Sequence, residues 1–132
     1  FLKKSKFCIS ILKLFKYWIS IFSMKRIKFY QNLVPIILNG EKTTTWRLFD
    51  DKDITTGDIF SFIVTETGEE FAKAKIVNVK ETSFKELNEE DWEGHETFSS
   101  KGEMFRKYSQ YYNNREVDEK TPLKIVKFEL VN

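Results

Sequence analysis

The sequence predicts an α+β domain: a mostly antiparallel curved sheet or small barrel with three or four short helices. Most segments alternate apolar and polar residues, which is the strand period. The clearest of these follows Pro122, where Val126, Phe128 and Leu130 share one face and charged residues separate them. Residues 99–112 instead repeat large apolar side chains at helical spacing. Many short strands and few helical segments together favour α+β.

The first half of the chain predicts four strands and one helix. Pro35 lies within the first turn of the helix, where proline is best tolerated, and Asn39-Gly40 ends it. Residues 66–69 form the turn of a hairpin. In order, the elements are a strand over 25–30, a helix over 31–38, a strand after Gly40, and hairpin strands over 59–65 and 71–79.

The second half predicts short helices before the final strand. Ser83 and Glu86 have the spacing of a capping box at the start of a helical turn. Asn88 can cap a second turn, whose first residues are acidic, as the helix dipole favours. Ser99 or Ser100 begins a longer helix with a stripe that we expect to face the core. Its members are Met104, Phe105, Tyr108, Tyr111 and Tyr112.

Charge and composition limit the classes of function. The chain has 132 residues, which is enough for one domain with a real core. Its net charge is +2, but residues 1–23 hold five lysines and no acid, so residues 24–132 carry a net −3. That excludes a broadly basic nucleic-acid binder, and any such contact must be a local patch. One Cys and one His exclude a disulfide and a Cys- or His-rich metal site. We therefore expect a cytoplasmic monomer with no metal or other cofactor.

Residues 1–23 form a separate segment from the domain expected over residues 24–132. Their apolar run contains Lys13 and Lys16, which are costly in the middle of a membrane-spanning helix. No small-residue cleavage site precedes Met24, which disfavours a signal peptide. Three interpretations stay open: a start set upstream of the real one at Met24, an amphipathic helix on a membrane surface, or a cut fragment. Membrane contact is expected only if this segment is genuine.

The stretch from Gly40 to Arg47 is the most informative part of the chain. Strand alternation places Thr43, Thr45 and Arg47 on one face. Two hydroxyls and a guanidinium in a row suit an anionic or polar ligand better than a core. The other interpretation is an exposed edge strand with solvated side chains.

The pattern Gly-x-Lys-Thr-x-Thr-x-Arg resembles the signature of the ASCH domain, a small relative of the PUA fold. The resemblance runs from about Met24 to the C-terminus and implies a PUA-like barrel with a pocket for a nucleobase, a nucleoside or short single-stranded RNA. Similar elements occur in the same order at residues 50–53, 56–58, 71–74, 95–96, 103–104 and 125–130.

One branch of that family resembles amidohydrolases that remove the acetyl group from acetylcytidine. The resemblance implies that Lys42, Thr45 and Glu96 are catalytic, with Glu93 as the rival carboxylate. Thr45 can supply the nucleophilic hydroxyl. Either a neutral Lys42 is the base and Glu96 orients the substrate, or a charged Lys42 stabilises the oxyanion and Glu96 is the base. Residues 42 and 45 converge only if Lys42 lies in the turn before the strand.

Four further residues are expected to contact the ligand: Thr43, Arg47, Trp92 and Glu93. Arg47 can hold a phosphate or a base edge, or it can pair with Asp50 or Asp51. Trp92 can cover the pocket or stack on a pyrimidine.

Other residues near the signature are expected to be structural. Trp46 is expected in the core, and His95 as a hydrogen-bonding residue. The rival to an enzyme is a non-catalytic RNA-binding module that serves translation or RNA modification.

Overall fold

The computed structural model describes residues 24–50 and 52–131. The interpretations of residues 1–23 lie outside this range. The strands are β1 (Lys25–Phe29), β2 (Thr44–Leu48), β3 (Ile59–Val64), β4 (Glu70–Ser83) and β5 (Pro122–Val131). The helices are α1 (Val34–Leu38), α2 (Glu89–Trp92) and α3 (Lys101–Tyr111), with short 3₁₀ turns at Gln31–Leu33 and Phe84–Glu86.

All five strands belong to one curved sheet with the order β1-β3-β4-β5-β2. Only the β1–β3 pair is parallel, and the other three pairs are antiparallel. A register shift between Ile76 and Asn78 interrupts the pairing of β4 with β5, and such bulges increase bending and twist. The predicted α+β class and the mostly antiparallel, PUA-like curved sheet are confirmed.

The sheet carries an apolar cluster on each side, which follows from strand alternation. One cluster, here called the inner cluster, contains Val126 and Phe128 of β5 together with Phe29, Phe60 and Phe62. The other, the outer cluster, contains Leu123 and Ile125 of β5. The outer cluster also contains Trp46, which is 2 % exposed and lies in the core as expected. The outer cluster lies beneath α3, which contributes Met104 and Tyr108 to it. Both faces of the central part of β5 are therefore covered by apolar side chains.

The local predictions for the second half are partly wrong. Ser83 makes no cap hydrogen bond, because β4 extends to this residue and pairs it with Pro122. Asn88 does form a capping box, and the Ser100 side chain caps α3. Tyr111 is expected in the core-facing stripe, but it is 39 % exposed and belongs to neither cluster. It is the last residue of α3. Within the described ranges, no helix is long and apolar enough to cross a membrane.

Candidate functional site

A pocket of about 190 Å³ lies between the end of β1, the strand β2 and the last turn of α3. Its lining includes Lys42, Thr45, Arg47 and Glu96, together with Lys28 and Thr65. The rest of the wall is largely aromatic. The structure therefore brings together the three residues expected to be catalytic and one of the four expected to bind ligand.

Lys42 lies in the turn before β2, which is the condition for its convergence with Thr45. Its backbone N–H donates to the carbonyl of Ile36 at 2.9 Å, which ties the turn to α1. The side chain is 2 % exposed, and Nζ donates to the Thr44 carbonyl at 2.8 Å and to the Glu96 carboxylate. The lysine side chain is thus held inside the pocket wall by two oxygen acceptors.

Gly94 positions the loop that carries Glu96. Its carbonyl accepts the N–H groups of Thr43 at 2.9 Å and Thr44 at 3.1 Å, which joins the loop to the start of β2. Gly94 has φ +71°, and a Cβ atom here would lie 2.0 Å from Thr43 Oγ1. Only glycine fits this backbone and this approach. The carboxylate that contacts Lys42 is that of Glu96, whereas Glu93 is exposed and does not line the pocket.

His95 connects this loop to α3 and to the core. Its Nδ1–H donates to the Glu96 carbonyl at 2.7 Å, and its Nε2 accepts the hydroxyl of Tyr108 at 3.1 Å. The ring stacks on Trp46 with centroids 3.9 Å apart and planes 14° apart. Burial, helped by the charge of Lys42, lowers the pKa of His95 to about 4, so the imidazole is neutral at pH 7. His95 has the structural role expected of it.

Burial and ionic contacts together shift the pKa values of Lys42 and Glu96. Burial lowers the pKa of Lys42 below the ordinary lysine value, although the Glu96 carboxylate opposes that shift. Burial alone would raise the pKa of Glu96, but His95 and the contact with Lys42 outweigh it and lower that pKa. Glu96 is therefore a carboxylate at neutral pH, beside a lysine whose charged form is disfavoured.

Arg47 spans the gap between the two edge strands of the sheet. Its guanidinium donates to the Lys28 carbonyl of β1 at 2.9 Å and lies 4.7 Å from the ring centroid of Phe29. Arg47 Nε is buried without a hydrogen-bond partner in the described part of the chain. Pairing with Asp50, one of the alternatives for Arg47, does not occur: Asp50 pairs with Lys124 at 2.5 Å. Asp51 lies outside the described residues.

Three of the expected ligand contacts do not line this pocket. Thr43 is exposed and contributes backbone hydrogen bonds, and Glu93 is also exposed. Trp92 packs edge-on against Trp46, with centroids 4.6 Å apart. Their contact with a ligand therefore stays a prediction. Across residues 24–50 and 52–131, no cluster of His, Cys, Asp and Glu is arranged to hold a metal ion.

The sequence interpretation missed the aromatic wall of the pocket. Its tyrosines are Tyr30, Tyr108, Tyr111 and Tyr112. The last three have i, i+3 and i+4 spacing, which places them on one side of a helix. The same spacing predicts a core stripe, because helical spacing alone does not distinguish side chains of a core from those of a pocket wall.

The model of the ASCH domain family matches residues 19–132. An ASCH domain from Lactobacillus crispatus is 14% identical, with TM-score 0.60, over 80% of this chain and 79% of that one. Protein EF3133 from Enterococcus faecalis is 13% identical, with TM-score 0.67, over 90% and 91%. Hypothetical protein PH0355 is 26% identical, with TM-score 0.61, over 82% and 99%. No curated protein matches the chain significantly.

Proposed function

The chain belongs to the ASCH domain family, and from that premise we propose that its pocket binds a modified nucleoside and hydrolyses an amide on it. The proposed substrate class is an acylated base such as acetylcytidine. The observation that carries the proposal is the contact of the buried Lys42 with Glu96 in the pocket that Thr45 also lines. A hydroxyl, an amine of lowered pKa and a carboxylate form a set suited to acyl transfer.

Of the two role assignments, we propose the one in which Lys42 is the base. Neutral Lys42 takes the proton of the Thr45 hydroxyl, and the oxygen attacks the acyl carbon. The tetrahedral intermediate collapses, and the base leaves with its amine after receiving the proton from Lys42. Water then hydrolyses the acyl-threonine, which restores the hydroxyl and releases the acid. The lowered pKa of Lys42 supports its role as base, and the lowered pKa of Glu96 supports an ionised group that orients the substrate.

We propose Arg47 as the donor for the developing oxyanion. Arg47 Nε has no partner in the described part of the protein, and Arg47 lines the pocket. A buried, unpaired N–H is costly, and a substrate oxygen can satisfy it. We assign it to the acyl oxygen in the proposed transition state.

Pocket size supports a small ligand. A volume of about 190 Å³ lies below the roughly 300–1,000 Å³ typical of sites for drug-sized molecules. The pocket can admit the acyl group and the edge of one base, while a ribose would project outward. That favours a nucleoside, or one base of a single strand, over a base inside a duplex.

A second candidate function is an RNA-binding module without catalysis. The observation that favours it is Lys28, an exposed cation on the pocket wall that could contact a phosphate. The two candidates differ in their response to salt. Binding through phosphates weakens steeply as salt rises, whereas turnover of a neutral nucleoside should barely change.

The proposed function is tested by incubating the full chain with acetylcytidine and measuring cytidine by chromatography. Lys42→Met, Thr45→Val and Glu96→Gln each remove one reactive group at nearly constant volume, and each should abolish turnover. Thr67→Val is the matched control, because it makes the same change at an exposed threonine outside the pocket. Circular dichroism of each variant shows whether the fold is retained. No cytidine from folded wild-type protein would refute the hydrolase and leave RNA binding as the leading function.

A further inference from the structure

Two tyrosines at the mouth of the pocket are exposed although their rings are in contact. Tyr30 follows β1 directly and is 38 % exposed, and Tyr111 ends α3 and is 39 % exposed. Their ring centroids are 5.2 Å apart with an interplanar angle of 33°. Both rings line the pocket that contains Lys42 and Glu96. We call Tyr30 and Tyr111 the tyrosine pair.

The tyrosine pair does not belong to the core. Neither member is part of the inner or the outer apolar cluster. Tyr108, one turn earlier on α3, is 3 % exposed and packs edge-on against Tyr111 with centroids 5.6 Å apart. Tyr111 is thus supported by a buried ring while part of its surface stays open to solvent. Such a supported, exposed aromatic surface suits a planar ligand.

We propose that the tyrosine pair is a stacking platform for the conjugated ring of the ligand, whose acyl group enters the pocket toward Lys42 and Glu96. This inference rests on the proposed function, because it takes the ligand to be an acylated nucleoside. The pocket is too small for the whole molecule, so the ring must lie near the mouth, where the platform is. Base–aromatic stacking tolerates any base and requires that the base be unpaired.

The chemistry of the platform fits a neutral ring. Burial and the nearby Glu96 raise the pKa of Tyr111, so its phenol stays uncharged at neutral pH. The platform therefore gives contact area without a charge, while Lys42, Arg47 and Glu96 supply the polar contacts deeper inside. The ring would determine which ligands bind, and the polar groups would determine what reacts.

The test separates the ring from the hydroxyl at each position. Tyr30→Leu and Tyr111→Leu remove the aromatic ring but keep apolar bulk, whereas Tyr30→Phe and Tyr111→Phe keep the ring. Leu38→Ala is the control, because Leu38 is 52 % exposed and does not line the pocket. Calorimetry with cytidine and with acetylcytidine gives Kd, and the chromatographic assay gives KM and kcat.

Each leucine variant should weaken binding, because stacking contributes about 1–3 kcal/mol per base, or roughly 5- to 150-fold in Kd. The phenylalanine variants and Leu38→Ala should stay within about twofold of wild type. KM should rise in the leucine variants with kcat nearly unchanged, since the platform lies away from the reacting atoms. A merely structural tyrosine would instead lower stability and leave Kd unchanged.

The outcomes separate the platform from the proposed function. Wild-type Kd values in both leucine variants would overturn the platform and leave the hydrolase intact. Binding of cytidine that depends on the rings, without any turnover of acetylcytidine, would support the platform and refute the hydrolase. Wild-type protein that binds neither compound would overturn both.

Discussion

Replacing Gly94 by alanine should destabilise the protein and disturb the pocket together. The carbonyl of Gly94 accepts two N–H groups from the start of β2, at 2.9 and 3.1 Å. The next two residues along the chain are His95 and Glu96, which make the contacts to Tyr108 and Lys42. A shift at position 94 therefore moves the carboxylate away from the lysine.

Two separate costs add up at this position. An alanine held at φ +71° costs about 1–2 kcal/mol, partly offset by about 0.4–1 kcal/mol from the stiffer unfolded chain. Its Cβ would also lie 2.0 Å from Thr43 Oγ1. Rotating that hydroxyl away still leaves Thr43 Cβ at 3.2 Å and its backbone nitrogen at 3.3 Å. Overpacking of this kind costs about 1–3 kcal/mol.

Gly68→Ala is the matched control for the backbone cost. Gly68 has φ +76°, and a Cβ there would meet nothing within 4 Å. It should lose only about 1 kcal/mol of unfolding free energy, while Gly94→Ala should lose about 2–4 kcal/mol. Urea unfolding of both variants measures the difference, and the acetylcytidine assay should show a loss of turnover in Gly94→Ala alone.

Equal losses of stability in the two variants would refute the packing argument. A second check is the double variant Gly94→Ala with Thr43→Ala, which removes the hydroxyl from the contact. It should recover part of the lost stability, since neighbouring residues in contact are not additive. A double variant no more stable than Gly94→Ala would show that the Thr43 hydroxyl contributes nothing to the cost.

Three further predictions concern the site. Turnover should rise with pH as Lys42 loses its proton, with a midpoint below the ordinary pKa of about 10.4. In Glu96→Gln, the rise of any residual turnover should move to lower pH, because the carboxylate raises the pKa of Lys42. Residual turnover that no longer depends on pH would make Glu96 the base. Tyr108→Phe leaves the buried Nε2 of His95 unpaired, so urea unfolding should show a loss of about 1–3 kcal/mol and kcat should fall; an unchanged kcat would limit the His95 contact to stability. Arg47→Lys should lose about 1 kcal/mol in urea unfolding, because an ammonium does not reproduce the planar fork that bridges to β1; wild-type stability would show that the bridge contributes nothing.

The strands could be predicted from the sequence because alternation reports directly which side chains share a face. The apolar residues of β5 divide between the two clusters as their period requires. The end of β4 was missed, because Ser83 reads locally as a helix cap while its partner, Pro122, is 39 residues away. Strand pairing between residues so far apart cannot be predicted from a short stretch of sequence.

The site could be predicted only through its family resemblance. Lys42 and Glu96 are 54 residues apart, and no spacing rule links them. The resemblance places the carboxylate at Glu96, with Glu93 as the rival. In the structure Gly94, with its left-handed backbone, lies between the exposed Glu93 and the Glu96 that contacts Lys42. Tyr30 carried no signal at all, because its role depends on the end of α3 lying beside the end of β1. Short-range sequence patterns do not predict which residues the topology of the chain brings together.

The pocket exists because the sheet does not close. Within the described part of the chain, β1 and β2 are the two edge strands, and each has one hydrogen-bonded neighbour in the sheet. Arg47 reaches from one edge to a carbonyl of the other, so a side chain replaces the backbone ladder at this point. An edge left open is a hazard for aggregation, but here Arg47 bridges it and the pocket opens beside the bridge. The arginine that holds the edges together also lines the pocket, which ties the geometry of the site to the closure of the fold.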